Sequence, residues 1–285
     1  MGKFRFAKSF LLLVTPLVTG SALAEIAVCI AASPSQAASL ALSQTSLEFN
    51  NFSLSPVAVQ TSTNTDTLAI AGTGSSTTAD AQAEATFVVA PPSAFNSSLS
   101  KAVGQGSSYL GLAQSGAQVV GNFFIEAGQT FSFDFAAALN ITTSIDNPSS
   151  EGASATGILL FFLTNSTPTT IYDFLVLSGN LISPGENDVP DLRKSNNITL
   201  NESSFATTLS GTQAVALASI KGSLLRRFES STSLKLIEVK ANQVRVQTPE
   251  PDNKLALLFF LGFISVSYKV RTKYCSAANF NSINF

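Results

Sequence analysis

Apolar and polar residues alternate along the middle of the chain with a period of two, which places alternate side chains on one face of a β-strand. Phe131, Phe133 and Phe135 alternate with Ser132 and Asp134, so they predict a half-buried strand with three rings on one face. The same alternation opens the domain at four apolar positions, Leu40, Leu42, Leu47 and Phe49. The pattern predicts strands and shows no sustained helical stripe.

Three further segments predict how strands are arranged. Residues 157–164 are apolar at successive positions, which indicates a central strand packed on both sides. Residues 172–177 form its predicted neighbour, across a turn at 165–170 in which Pro168 interrupts pairing. Residues 234–239 and 244–246 flank Ala241 and Asn242, and this arrangement indicates a hairpin.

Turn-forming residues separate these segments. Gly, Pro, Asn, Ser and Thr are concentrated at residues 61–78, 91–107, 146–152 and 183–197. We interpret residues 61–78 as a long surface loop, with Gly72, Thr73 and Gly74 at a flexible turn. Frequent short strands with such punctuation predict an all-β fold, an antiparallel β-sandwich or jelly roll, as one domain at residues 38–248.

The amino terminus has the pattern of a signal peptide. Lys3, Arg5 and Lys8 precede an apolar segment at residues 10–23. Small residues that suit cleavage lie at 22–24 and again at 35–37. We predict a signal peptide at residues 1–37, cleaved between Ala37 and Ala38, because this site also removes the second apolar patch at 26–32. Cleavage after residue 24, lipidation at Cys29 and an uncleaved anchor helix are the alternatives.

The carboxyl-terminal part has three consecutive features. Pro249, Glu250 and Pro251 favour an extended, accessible segment, since the prolines remove two backbone donors. Residues 255–268 carry no charge, and as a helix they would rise about 21 Å against a hydrocarbon core of roughly 30 Å. A basic cluster follows at Lys269, Arg271 and Lys273, which the positive-inside rule places on the cytoplasmic side. A buried helix or strand is the alternative.

Together these features resemble the PEP-CTERM sorting domain of Gram-negative bacteria and cyanobacteria. The resemblance is confined to residues 249–273, and a short tail at 274–285 extends past the point where that family usually stops. It implies Sec export, a transient transmembrane helix in the inner membrane and processing by an exosortase near Pro249, Glu250 and Pro251. In that family, such sorting often accompanies exopolysaccharide production.

Composition narrows the chemistry of the predicted domain. The chain has no histidine, which excludes a Ser-His-Asp triad and histidine-ligated zinc. Its two cysteines, Cys29 and Cys275, lie outside residues 38–248, so that region has no internal disulfide. We assign no catalytic residues and expect a protein that is not an enzyme. The alternative is a secreted carbohydrate-active enzyme with paired carboxylates on the same sandwich.

Charge is distributed unevenly. Residues 38–192 contain twelve acidic side chains and one basic side chain, whereas residues 193–248 contain eight basic and three acidic ones. This balance does not favour nucleic-acid binding. The late strands either neutralise the early ones or form a surface patch through which the domain self-associates or holds anionic polysaccharide. The residues of that predicted patch are Arg226, Arg227, Lys235, Lys240 and Arg245.

One loop has oxygen ligands of the kind that calcium prefers. Glu186, Asp188 and Asp191 lie within six residues, although the spacing is not that of an EF-hand. Asp146, Asn147 and Glu151 form a weaker candidate. A solvated turn is the alternative for both, and we expect no other cofactor.

These observations predict an exported protein of the cell surface or extracellular matrix, of structural or polysaccharide-associated type. Its expected partners are the export machinery, an exosortase-like processing enzyme, transiently the inner membrane, and anionic polysaccharide.

Overall fold

The computed structural model describes residues 38–166, 170–185 and 188–248, and these residues form an all-β fold of two antiparallel sheets. The strands are β1 (Ala38–Asn50), β2 (Ala58–Ala71), β3 (Ser76–Val89), β4 (Pro92–Gln105), β5 (Tyr109–Ile125), β6 (Thr130–Ser144), β7 (Gly152–Asn165), β8 (Ile171–Ser183), β9 (Asp188–Lys194), β10 (Ile198–Leu209), β11 (Gln213–Arg227) and β12 (Thr232–Gln247).

Each sheet has six strands. The order in the first sheet is β10-β11-β6-β1-β4-β3, and the order in the second sheet is β2-β5-β12-β7-β8-β9. The short turn between β2 and β3 joins the two sheets at one side. Side chains from the inner faces of both sheets form one continuous core, so the arrangement is sandwich-like.

Several predicted strands are confirmed. Phe131, Phe133 and Phe135 all lie on the buried face of β6, as their spacing predicts. Residues 157–164 fall within β7, which pairs with β8 in an antiparallel register that sets Phe161 opposite Leu175. The alternation of apolar side chains therefore identified the strands that contribute the largest buried groups.

The prediction that residues 157–164 are packed on both sides is wrong. Phe161 is fully buried, but Phe162 is only half-buried and Ile158 is 36% exposed. A fold of two sheets buries one face of each sheet, so the second apolar face of β7 lies on the outer surface. There Phe162 lies beside Phe174 of β8 and Ile237 of β12.

The hairpin predicted around Ala241 and Asn242 is also wrong. Residues 232–247 form the single strand β12, which pairs along its length with β5 on one side and β7 on the other. Asn242 is buried rather than at a turn. A polar residue between apolar runs had indicated a turn, but its position in the alternation places it in the core.

Three of the four predicted turn-rich segments contain strands. Residues 61–78 belong to β2, β3 and the short turn between them, which contains Gly72, Thr73 and Gly74, with Gly74 at a φ of +76°. Residues 91–107 are mostly β4, and residues 183–197 contain β9. Composition was misleading because Ser, Thr and Ala alternate regularly in β3 and β4. The segment 146–152 is mainly a loop, as predicted.

Several predictions lie outside the described residues. They concern the signal peptide at 1–37, the sorting segment at 249–273, the tail at 274–285 and the turn at Pro168. In the part of the chain that the structure describes, no helix has the length and hydrophobicity required to cross a membrane.

Candidate functional site

An aromatic cluster fills one part of the interior. Its members are Phe49, Phe52, Phe87, Phe123, Phe131, Phe133, Phe135 and Phe161. The rings come from both sheets, and the centroids of Phe49 and Phe161 lie 5.4 Å apart in an edge-to-face arrangement. Such contacts add to the apolar area that the rings bury, and they hold the two sheets together at this part of the core.

Next to this cluster the interior is polar. We define the polar belt as the buried residues Ser43, Thr45, Asn96, Ser98, Ser100, Ser115, Glu238, Lys240 and Asn242. They occupy inward-facing positions on β1, β4, β5 and β12. The belt directly adjoins the aromatic cluster, because Glu238 of β12 pairs with Phe161 of β7 in the strand register.

Asn242 connects the two sheets within the belt. Its side-chain nitrogen Nδ2 donates to the Ser98 carbonyl at 2.8 Å and to Ser98 Oγ at 2.6 Å. Its Oδ1 accepts from Ser43 Oγ at 2.8 Å. Both ends of the amide are therefore satisfied, which offsets the cost of burying it.

Gly157 makes room for this arrangement. A Cβ at residue 157 would lie 2.8 Å from Ser43 Oγ and 2.6 Å from Leu139 Cδ1, which is closer than real contacts allow. Ser43 Oγ also contacts the Thr156 carbonyl at 2.9 Å. The glycine within an apolar strand is thus explained by close packing against the opposite sheet.

Glu238, Lys240 and Asn96 form the most deeply buried charged group of the belt. The side chains of Glu238 and Lys240 are 0% exposed. Lys240 Nζ donates to Glu238 Oε1, and Asn96 Nδ2 donates to Glu238 Oε2. One carboxylate therefore holds both an amine and a carboxamide, each on its own oxygen.

Burial shifts the pKa values of this buried pair. It lowers the pKa of the Lys240 ammonium to about 8, against the opposing effect of the Glu238 charge. Burial also raises the pKa of the Glu238 carboxyl, while Lys240 and Asn96 act in the opposite direction. Both shifts favour the neutral forms, an amine and a carboxylic acid.

A second buried carboxylate, Asp173, lies near the end of the second sheet. Arg226 Nη1 donates to Asp173 Oδ2 at 3.0 Å, and Ser195 Oγ donates to Asp173 Oδ1 at 2.7 Å. The Arg226 guanidinium also lies over the ring of Tyr172, 4.8 Å from its centroid. These contacts join β8 to β11 across the two sheets. Both oxygens of the Asp173 carboxylate therefore serve to hold the sheets together.

The third buried carboxylate, Glu151, organises the loop that precedes β7. Its Oε2 accepts backbone N–H groups from Asp146 at 2.8 Å and Asn147 at 2.9 Å. Nearby, the Tyr109 hydroxyl lies 2.6 Å from Ser39 Oγ. Burial raises the pKa of Tyr109, and the charge of Glu151 raises it further.

The predicted calcium residues are placed as follows. Glu186 and the side chain of Asp188 lie outside the described residues, and Asp191 forms an ion pair with Arg193 at 2.8 Å. In the weaker candidate, the Glu151 carboxylate accepts the two backbone N–H groups described above. No group of three or more metal-ligating side chains occurs among the described residues.

The five basic residues of the predicted patch do not form one surface. Lys240 lies in the core, and Arg226 is bound to Asp173. Arg227 forms an ion pair with Glu229 two residues away, and Lys221 pairs with Glu202 on the adjacent β10. Among the described residues, Arg193–Asp191 and Arg226–Asp173 join late bases to early acids, whereas the other three ion pairs join late bases to late acids. Neutralisation of early strands by late ones therefore describes part of the observed pairing.

Sequence reasoning missed the polar belt. The available signal was the alternation along β12. Every second residue faces the core, and this set comprises Leu234, Leu236, Glu238, Lys240, Asn242, Val244 and Val246. Comparisons of the chain with protein-family models, curated proteins and solved structures found no match.

Proposed function

We propose that the chain is an exported module of the cell surface or extracellular matrix, of structural or polysaccharide-associated type. The resemblance of its carboxyl terminus to a PEP-CTERM sorting domain suggests this destination. The observation that carries this proposal is the interior of the β-sandwich, in which the aromatic cluster and the polar belt connect both sheets. Such a core suits a rigid module, since its strands are held by contacts that span the two layers.

One contact involves the residue at which the mature chain is expected to begin. The Ala38 N–H donates to Asp146 Oδ2 at 2.9 Å, in the loop that precedes β7. β12 ends at Gln247, just before Pro249.

The buried carboxylates also support a structural module rather than a secreted carbohydrate-active enzyme. Glycoside hydrolysis uses a pair of carboxyl groups that face the scissile bond. Glu151, Asp173 and Glu238 instead accept hydrogen bonds from the protein itself. Each of these carboxylates stabilises a different part of the sandwich.

The test is replacement of the proposed processing motif by Pro249→Ala, Glu250→Ala and Pro251→Ala in the full chain. We expect the variant to be exported but retained in the inner-membrane fraction, because the processing enzyme would no longer release it. Amino-terminal sequencing of wild-type exported protein should begin at or near Ala38.

The matched control is a triple alanine replacement at Asn279, Asn281 and Ser282 in the carboxyl-terminal tail, which should leave release unchanged. Release of the motif variant at the wild-type rate would remove the sorting proposal. Exported protein that begins at Met1 or Glu25 would overturn the proposed cleavage site.

A further inference from the structure

The polar belt brings together three reactive side chains from opposite sheets. Asn96 extends inward from β4, and Glu238 and Lys240 extend inward from β12. The Lys240 amine and the Asn96 amide both contact the Glu238 carboxylate. A nucleophile and a carbonyl carbon are thus held beside the same general acid and base.

If the three side chains remain unlinked, their burial costs folding free energy. Both members of the ion pair are 0% exposed, and burying two charges costs several kcal/mol per ion after relaxation. Asn96 is 1% exposed, and its Oδ1 has no hydrogen-bond partner among the described residues. An unsatisfied buried oxygen in a native core calls for an explanation.

We infer that Lys240 and Asn96 react with each other to form an intramolecular isopeptide bond, with Glu238 as the catalytic residue. Lys240 Nζ attacks Asn96 Cγ, and the new C–N bond forms as the bond between Cγ and Nδ2 breaks. A proton from the amine passes through Glu238 to Nδ2, which leaves as ammonia. The products are one secondary amide and one ammonia molecule, and no oxidant, reductant or other reactant is consumed.

Burial shifts the pKa of each group toward the protonation state that this reaction requires. The amine must be neutral to attack, and burial lowers the pKa of Lys240 to about 8. Glu238 must carry a proton to activate the amide, and burial raises its pKa. Transfer of one proton from Lys240 to Glu238 therefore produces the reactive pair and removes two charges from the core.

The unpartnered Asn96 Oδ1 is consistent with Glu238 acting as the acid that activates the Asn96 amide. The oxygen and nitrogen of a side-chain amide are interchangeable in shape, and the hydrogen-bond network decides their assignment. In the turned orientation, Oδ1 faces Glu238 Oε2 and accepts the proton of the neutral carboxyl. That hydrogen bond polarises the carbonyl toward attack and satisfies the orphan oxygen.

The product would link β12, in the middle of the second sheet, to β4 in the first sheet. A covalent link between residues 96 and 240 closes a long loop and restricts the unfolded chain, as a disulfide does. The two cysteines of the chain lie outside residues 38–248. The isopeptide bond supplies a covalent brace in a domain that has no cysteine.

The test is peptide mapping of the full, folded chain by mass spectrometry after trypsin digestion. Trypsin does not cleave after an acylated lysine, so residues 236–245 should remain whole. We expect this peptide joined to the peptide that ends at Lys101, with a mass lower than the sum of the two by one ammonia molecule. Fragmentation should place the link at Asn96 and Lys240.

Variants test the assigned roles. Lys240→Met should abolish the link. Lys235→Met should retain the link, now in a longer peptide that starts after Arg227, because Lys235 lies on the same strand but is only half-buried. Asn96→Asp should lose water in place of ammonia. Glu238→Gln should leave Lys240 and Asn96 unlinked, and a normal yield of linked peptide in this variant would overturn the catalytic role of Glu238.

Peptide mapping of the wild-type chain alone can disprove the proposed bond. Separate peptides with cleavage after Lys240, obtained from folded protein, would show that no bond has formed. Loss of ammonia confined to the Asn96 peptide would indicate a succinimide and would also exclude the link. These results do not depend on export or on processing at Pro249.

Discussion

The aromatic cluster and the polar belt lie side by side in one core but stabilise it differently. Rings such as Phe133 and Phe161 bury apolar area and tolerate small shifts, because dispersion and the hydrophobic effect are weakly directional. Asn242, on the second sheet, contacts defined donors and acceptors of Ser43 and Ser98 on the first sheet. Its hydrogen bonds form in one geometry and fail in others.

The comparison shows how the face of β12 is selected. Ile237 and Val239 on the outer face are as apolar as Leu234 and Leu236 on the inner face. A slip by one residue would exchange the two faces. Polar partners for Asn242 on β1 and β4 favour the observed face, so the belt specifies register where hydrophobicity is nearly equal on both faces.

The largest effect should follow removal of one ring from the aromatic cluster. Phe161→Ala should lower the free energy of unfolding by about 3–5 kcal/mol, because lost transfer energy is joined by the cost of a cavity. Denaturant unfolding measures the change. The control is Phe162→Ala on the outer face, which should cost much less. Equal costs for the two variants would contradict the assigned faces of β7.

A smaller effect should follow replacement of the belt residue Asn242 by an apolar residue of similar size. Asn242→Leu conserves volume but leaves Ser43 and Ser98 without a partner at Asn242, and each buried unsatisfied group costs about 1–3 kcal/mol. Gln243→Leu, on the exposed face, should change stability by no more than about 0.5 kcal/mol. Greater stability of the Asn242 variant would show that the belt does not stabilise the fold.

The smallest effect concerns Tyr109, which lies in a polar part of the core outside the belt. Tyr109→Phe removes the contact with Ser39 and should cost about 1 kcal/mol near neutral pH. The pKa of Tyr109 is raised in the folded state. The contribution of its hydroxyl to folding stability is therefore fully present below about pH 10, and it is lost as pH rises through the pKa of the folded state.

The stability difference between wild type and Tyr109→Phe should therefore shrink at alkaline pH. Denaturant midpoints of both proteins, measured across this range, check the sign, since titration of other groups affects both alike. A difference that grows with pH would contradict burial of the hydroxyl.

Sequence and structure agree most closely where large apolar side chains occur at strict alternation. Phe131, Phe133 and Phe135 identified the buried face of β6, because only one phase of a period of two can bury three rings. The prediction for residues 61–78 was wrong because their composition indicated a loop. In the structure these residues belong largely to β2 and β3, which pair with β5 and β4. Backbone pairing, which composition does not reveal, determined those strands.

The sequence by itself determined the all-β class, the buried phase of the phenylalanine-rich strands and the absence of any cysteine or histidine from residues 38–248. Tertiary structure alone decided that Glu238, Lys240 and Asn242 face the core and that Asn96 meets them there. The first-sheet partners of Glu238 and Asn242 lie more than a hundred residues away in the chain. A local pattern records the polarity of each side chain, but only the packed sheets determine which partners offset the cost of burying it.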